Sequence, residues 1–461
     1  MIKINFIKIR SGKMKRFLKS ILFILLLVSV VNTPILAKED TTDIFIPEVE
    51  YKEFELENGL DIYVLEDHKL PLVNVALWYK VGSIDEKNGL SGISHLLEHT
   101  MFLGTETLQK GQIHKLVKSV GGSNNAGTFY DYTKYYEEVP AAKLELALAI
   151  EADRMGNLAI NPQEFRREKK VVKQERRKRI ENSTFWSALE KVQAKAWAKT
   201  PLEHQIIGWS EDLTKIEVED MRDYYRQYYA PNNASLVVSG DVKAKEVKRL
   251  AQKYYGDYKA QKIERIKFSS SQQKEKRLTI KKVTRVPFIQ MIYKIPQAND
   301  KDIVAIEALM DILINNSSSR IKKNLQQEKR LILETGSSVQ GLRKRGFALV
   351  YLIPSSPQVV DRVQKEFDEQ LQRIKKEGVS KQEVEIVRKN SLKSMIFSQR
   401  AISSQANRLA QGVIRFDNPE LYREQLKRLK NLTKAEIRAV AKRYFNKNNR
   451  TVGYIMPVSK K

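Results

Sequence analysis

The chain has 461 residues, 42% of them apolar, which is enough for roughly two to four domains with real cores and excludes disorder as the main state. It carries 82 Lys and Arg against 55 Asp and Glu, a formal charge of +27, and no cysteine. A disulfide framework, a thiolate metal site and a Cys nucleophile are therefore excluded, and any metal must be held by carboxylates and the five His.

Residues 1–37 hold seven Lys and Arg and no acid. Lys15, Arg16 and Lys19 precede an apolar run over 21–31, and the segment closes at Ala37 ahead of Lys38-Glu39-Asp40, the pattern of an export signal. The run is too short to span a bilayer comfortably. The expectation is an exported, periplasmic protein whose membrane contact, if the signal stays uncleaved, is confined to this segment. Lys and Arg elsewhere sit among Glu and Gln along helical stretches, as on solvated faces, and no nucleic-acid motif is present, so nucleic acid is not an expected partner.

After an Asn58-Gly59 turn, alternation of apolar and polar residues predicts half-buried strands over 60–65 and 73–81. Helical periodicity follows over 91–103, 111–120, 141–156, 162–198 and 217–228. Residues 121–127, with three Gly and two Asn, read by themselves as a flexible turn. The helix at 217–228 ends in Tyr228-Tyr229-Ala230-Pro231-Asn232-Asn233 before an apolar run, and Tyr444-Phe445-Asn446-Lys447-Asn448-Asn449 repeats this 216 positions later. Likewise Tyr79-Lys80-Val81 returns as Tyr293-Lys294-Ile295, 214 positions on. The chain thus reads as a duplicated α+β unit: one module over 38–258, a Lys/Gln/Ser-rich linker over 259–277, and a second module over 278–461. Strands grouped with long helices favour α+β over a doubly wound sheet.

The chemistry lies in His95-Leu96-Leu97-Glu98-His99. On a helix, positions i and i+4 share one face, so His95 and His99 can close on one ion with Glu98 beside them. Two imidazoles, one further carboxylate and a water make a catalytic Zn²⁺ centre, with Glu98 placed to take a proton from the water. With five His in the chain, such a spacing arises by chance in under about one in a hundred such chains. The bland alternative is two structural His on an apolar helix. His68, His114 and His204 have no partner at metal spacing and read as surface or structural. The third ligand is sought on 162–198, where Asn161-Pro162 signals a helix start and Phe165, Glu168, Val172 and Glu175 form one stripe. Carboxylates on an apolar stripe are costly unless bound to something, and spacing does not choose between Glu168 and Glu175.

These residues resemble the pitrilysin/insulinase metallopeptidases, or inverzincins, named for the His-x-x-Glu-His order. Glu57-Asn58-Gly59-Leu60, Gly89, Gly92-Ile93 before the His pair, Gly104-Thr105 and Tyr228 to Asn233 all match, so the resemblance covers nearly the whole chain beyond residue 37. It is strongest to the shorter, processing-type members, whose two homologous α+β modules form half of a clamshell. By that resemblance Glu175 is the third zinc ligand and Glu168 orients a ligating His from the outer shell. It also makes Asn125 and Ala126 part of a sheet edge where an extended peptide substrate adds as a strand, and Phe102 the aromatic beside the cut bond.

The second half departs from the pattern. Leu309 and Leu313 stand at the positions of His95 and His99, so no metal site is expected there. Where many relatives carry an Arg and, seven later, a Tyr that hold the substrate carbonyl, this chain has Gln327 and Glu334. The resemblance then implies the zinc-bearing member of a heterodimer whose related subunit supplies the Arg/Tyr pair, or otherwise a homodimer. The rival expectation is a non-hydrolytic binding or assembly subunit.

Overall fold

The computed structural model describes residue 46, residues 48–398 and residues 400–458; the expected export segment lies outside them. Among the described residues no helix is long and apolar enough to cross a membrane.

The architecture is α+β, with two mixed sheets packed by helices. The first sheet runs β1 (Lys52–Glu55), β2 (Asp61–Glu66), β6 (Ala234–Gly240), β3 (Leu72–Tyr79), β5 (Thr133–Pro140), β4 (Ser123–Thr128). The second runs β7 (Lys276–Lys282), β11 (Arg450–Pro457), β8 (Phe288–Ile295), β10 (Gly346–Pro354), β9 (Ile332–Gln340). Both contain one parallel pair, β2 with β6 and β7 with β11, in an otherwise antiparallel order. The register repeats as well: Tyr79 faces Ala234, and Tyr293 faces Arg450, each residue shifted by the interval seen in the sequence. Between Tyr255 and Lys276 the chain forms no regular element.

The central strands are buried on both faces, not on one as alternation suggested. In β3, Val73, Val75, Leu77 and Tyr79 join a core with Leu96, Leu97 and Leu148, while Ala76 and Trp78 on the other face pack against Leu409, Ala410 and Val413. Those last three belong to helix Ile402–Phe416 of the second half. The reverse also holds. Helix Thr184–Trp197 of the first half lays Ala188, Leu189, Val192 and Trp197 on Ile280, Ile292 and Ile455 of the second sheet. Each half therefore lends one helix to the other's sheet. Gly453 makes the approach possible, since a Cβ there would lie 2.2 Å from Val192 Cγ2.

The expected single helix over 162–198 is two. Helix Pro162–Arg176 widens into a π turn over Arg177–Glu181, and a new helix starts at Thr184 because the Ser183 side chain accepts the Trp186 N–H. The break frees the second segment to cross to the other sheet.

Buried ion pairs join the halves. Asp85, fully buried, accepts two bonds from Arg343 Nη2, at 2.9 and 3.0 Å, and lies 3.5 Å from Arg265 Nη1. Asp131, also buried, accepts from the Arg343 backbone N–H and from Arg415. Removing one member of such a pair strands a buried charge. Asp85→Ala is expected to destabilise the fold by about 3–5 kcal/mol in denaturant unfolding, with Asp85→Ala/Arg343→Met recovering much of the loss. Equal stability of Asp85→Ala and wild type would show that the pair does not hold the halves together.

Candidate functional site

Helix Ile93–Thr100 is seated before it is functional. Gly92 precedes it at φ 87, a left-handed position that favours glycine, and a Cβ there would meet the Ile207 carbonyl oxygen at 2.4 Å. With no side chain on Gly92, the cap comes from elsewhere: the buried Glu86 carboxylate accepts the Gly92 N–H at 2.7 Å and the Ser94 N–H at 2.9 Å. Burial pushes the Glu86 carboxyl up to about 8 against these bonds, so the cap acts by satisfying two backbone N–H groups at the helix start. Ser91 donates to Asp212 at 2.6 Å, and Ser94 bonds Tyr224 at 2.7 Å. Ile93, Leu96, Leu97 and Met101 enter the core, which turns His95, Glu98 and His99 the other way.

Helix Pro162–Arg176 brings the carboxylates. Asn161 caps it, accepting from Gln163 and Glu164, and Pro162 occupies its first turn, as the sequence indicated. Phe165 and Val172 are fully buried, and Arg176 is locked by a two-pronged bond to Glu190 and a third to the Gly208 carbonyl. The stripe then places Glu168 Oε1 2.9 Å from His99 Nδ1 and Glu175 Oε2 3.4 Å from His99 Nε2 and 3.9 Å from His95 Nε2. Donor atoms of His95, His99 and Glu175 all lie within 4.8 Å of one another, the one such group among the described residues. Glu168 takes the outer nitrogen of His99 and leaves Nε2 facing Glu175.

The donor set fits a divalent zinc ion: two imidazoles and one carboxylate converge, and the bond to Glu168 fixes which His99 nitrogen is free. Burial depresses the His95 pKa to about 4, with His99 adding to the effect, so His95 is neutral and ready to ligate at physiological pH. Burial also opposes charge on His99, but hydrogen bonds to Glu168 and Glu175 outweigh it and hold the pKa up at about 9. In the metal-free protein a proton on His99 thus supplies the positive charge that two acids require. The bond to His99 lowers the Glu175 carboxyl.

Glu98 stands beside this group, its Oε2 accepting the Thr128 hydroxyl at 2.6 Å. Burial raises its pKa, an effect the Thr128 bond moderates. Together His95, Glu98, His99, Glu175 and residues 125–128 line a cavity of about 530 Å³. Residues 121–127, read alone as a flexible turn, are in fact largely strand: β4 closes the sheet, paired among the described residues only to β5, with Asn125 opposite Tyr136 and Ala126 opposite Tyr135. Asn125 to Thr128 of this edge strand are the part that lines the cavity. Phe102 does not line the cavity; it stacks on His114, with centroids 4.9 Å apart, and packs against Arg154. His114 in turn bonds Asn124, His68 bonds Asp241 at the surface, and buried His204 lies 3.6 Å from Glu86, so none of the three joins the metal group.

Three participants went unassigned from sequence. Thr128 directly follows the glycine-rich stretch and has no role there. Arg179, one turn after Glu175, lines the cavity and binds Glu175 Oε1 at 2.8 Å. Glu86 had no local signal, because its partners come from the next loop and helix. In the second half, Leu309 and Leu313 are fully buried, Glu334 accepts the Tyr351 hydroxyl, and Gln327 is exposed.

In the metal-free protein, Glu168→Gln is expected to lower the His99 pKa from about 9 toward the ordinary 6.5, read by histidine NMR titration. An unchanged value would contradict the bond as the source of the shift.

Two family models match the chain: that described as insulinase (peptidase family M16) over residues 62–209, and that described as the peptidase M16 inactive domain over residues 215–391. The zinc protease PqqE of Helicobacter pylori is 29% identical over 414 residues, covering 88% of this chain and 93% of that protein. A crystal structure of a protease from Helicobacter pylori superposes with a TM-score of 0.84 at 27% identity, covering 90% of this chain and all of the other. That of the periplasmic protease PqqL from Escherichia coli does so at 0.74 and 20% identity, covering 90% of this chain but 48% of the other, which shows a shared fold.

Proposed function

Since this chain belongs to the insulinase family of peptidases, family M16, we propose that it is an exported zinc-dependent endopeptidase, or the zinc-bearing subunit of one, acting on peptides or unfolded segments. The observation that carries the reading is the convergence of His95, His99 and Glu175 beside Glu98 at the foot of an open sheet edge. Export is supported by the basic and apolar pattern of residues 1–37 and by the periplasmic location in the name of PqqL.

His95, His99 and Glu175 would hold one zinc ion, with Glu168 orienting His99. When bound, zinc supplies a Lewis acid that lowers the pKa of a water toward about 7 and polarises a carbonyl. The remaining work falls to the chain itself. The free edge of β4 at Asn125 and Ala126 offers backbone donors and acceptors to an extended peptide, which fixes the scissile bond without demanding particular side chains. Glu98 accepts the proton of the attacking water on the carboxylate that Thr128 steadies, then returns it to the leaving nitrogen. Its raised pKa suits both halves of that exchange. Phe102, stacked on His114 and outside the cavity lining, keeps a substrate role only by the family resemblance.

Gln327 and Glu334 supply no cation for a developing oxyanion, and donors of that kind are worth about 10²–10³ in rate. We therefore pair this chain with a related subunit that carries an Arg and a Tyr, or failing that with a second copy of itself. PqqL, twice as long, holds two such lengths in one chain. The same two substitutions, with the inactive-domain match over 215–391, favour a second reading, a non-hydrolytic subunit.

Quenched-peptide assays on the chain alone and mixed with a co-encoded relative, with metal content measured in parallel, separate these readings. Glu98→Gln is expected to keep stoichiometric zinc and lose about 10²–10⁴ in cleavage, whereas Glu175→Ala loses the metal. Zinc uptake with no cleavage in either preparation would support the non-hydrolytic reading, and cleavage indifferent to Glu98→Gln would refute the mechanism.

A further inference from the structure

The duplication gives the modules matching positions, and one matched pair differs in sign. Lys80 donates to Asp417 at 2.8 Å, and Asp417 terminates the lent helix Ile402–Phe416 in a left-handed conformation, φ 53. In the other module the counterpart of Lys80 is Lys294. The helix lent to that sheet, Thr184–Trp197, is followed by its own left-handed residue, at φ 63, and that residue is Lys199. One copy has a lysine and an aspartate; the other has two lysines.

Lys294 is 5% exposed. Its ammonium lies 4.7 Å from the Trp197 ring and donates to the Ser270 hydroxyl, and among the described residues no carboxylate pairs with it. Its charged neighbours are cations: burial, then Lys276 and Arg345, push its pKa down to about 8. A buried ammonium with hydrogen-bonding capacity to spare and no counter-charge is costly. It borders a cavity of about 440 Å³ that Lys344, Arg345, Gln272 and Asn449 also line. Asp300 is the one acid in that lining, and Arg443, at the rim, is already paired with Asp302. Three cations against one acid leave two positive charges, with the amides of Gln272 and Asn449 in the same lining.

We propose that this cavity is a binding site for a small phosphate dianion, which supplies Lys294 with the counter-charge that Asp417 gives Lys80 in the first module. Two net positive charges match a dianion better than a monocarboxylate, and lysine, guanidinium and amide donors suit a tetrahedral oxyanion with acceptors on every side. The site is remote in sequence from the metal group, so it stands or falls independently of the peptidase reading.

Calorimetric titration of the full chain with orthophosphate, at constant ionic strength, tests the assignment. Saturable one-site binding is expected in wild type, weakened about tenfold or more by Lys294→Met and by Arg345→Ala. Lys199→Asp, which supplies a carboxylate at the position Asp417 holds in the first module, is expected to weaken phosphate binding while leaving the melting temperature of the unliganded protein unchanged or higher. Arg345 is exposed, so its variant stays informative if Lys294→Met folds poorly. Absence of saturable binding in wild type, or the same affinity in wild type, Lys294→Met and Arg345→Ala, would overturn the proposal.

Discussion

Two imidazoles and a carboxylate can share one ion only if two helices are held at a fixed distance and rotation, and the structure around the site serves that constraint. Helix Ile93–Thr100 has no cap of its own; Glu86 supplies one from a preceding turn, and the left-handed Gly92 lets the 207–208 loop close over the joint. The facing helix Pro162–Arg176 is fixed at its start by Asn161 and at its end by Arg176, whose guanidinium reaches Glu190 and the Gly208 carbonyl. Both helices are thus tied to the same loop. Side chains that must agree to within a fraction of an ångström inherit their precision from this shared anchor.

The duplication explains why the candidate metal group of His95, His99 and Glu175 has no counterpart among the described residues of the other half. The second sheet repeats the order of the last five strands of the first, β1 being the extra one, and each sheet is covered by a helix from the other half, so packing demands are alike in both. Chemistry makes no such demand. In the second half the helix Ile303–Met310 and the π turn after it direct Leu309 and Leu313 into the core, where His would have to be paired. Apolar substitution there gains burial and loses nothing structural. The buried aspartates Asp85 and Asp131, both answered by arginines of the second half, keep that half necessary even without a metal.

What was legible in the sequence was local or repeated. His95, Glu98 and His99 lie within one helical turn and a half, the Asn161-Pro162 start is a short-range signal, and the stripe through Glu168 and Glu175 follows from helical period. The duplicated strands and the Tyr/Asn motifs declared the α+β repeat. Features that depend on distant segments were not legible. Burial of β3 on both faces comes from a helix more than 300 residues away, and the Glu86 cap reaches its partners through a loop. Strand β4 looked like a turn because Gly and Asn suit an edge that must stay open on one side. The break at Ser183 was hidden inside a continuous helical pattern and needed only one capping side chain.

The central claim is that one zinc ion is held by His95, His99 and Glu175, and crystals grown with zinc test it most directly through anomalous scattering at the zinc edge. The account requires a single strong peak between His95 Nε2, His99 Nε2 and a Glu175 oxygen, with Glu168 still bonded to His99 Nδ1. A map with no peak among these three residues, or with its strongest peak on another set of ligands, would contradict it.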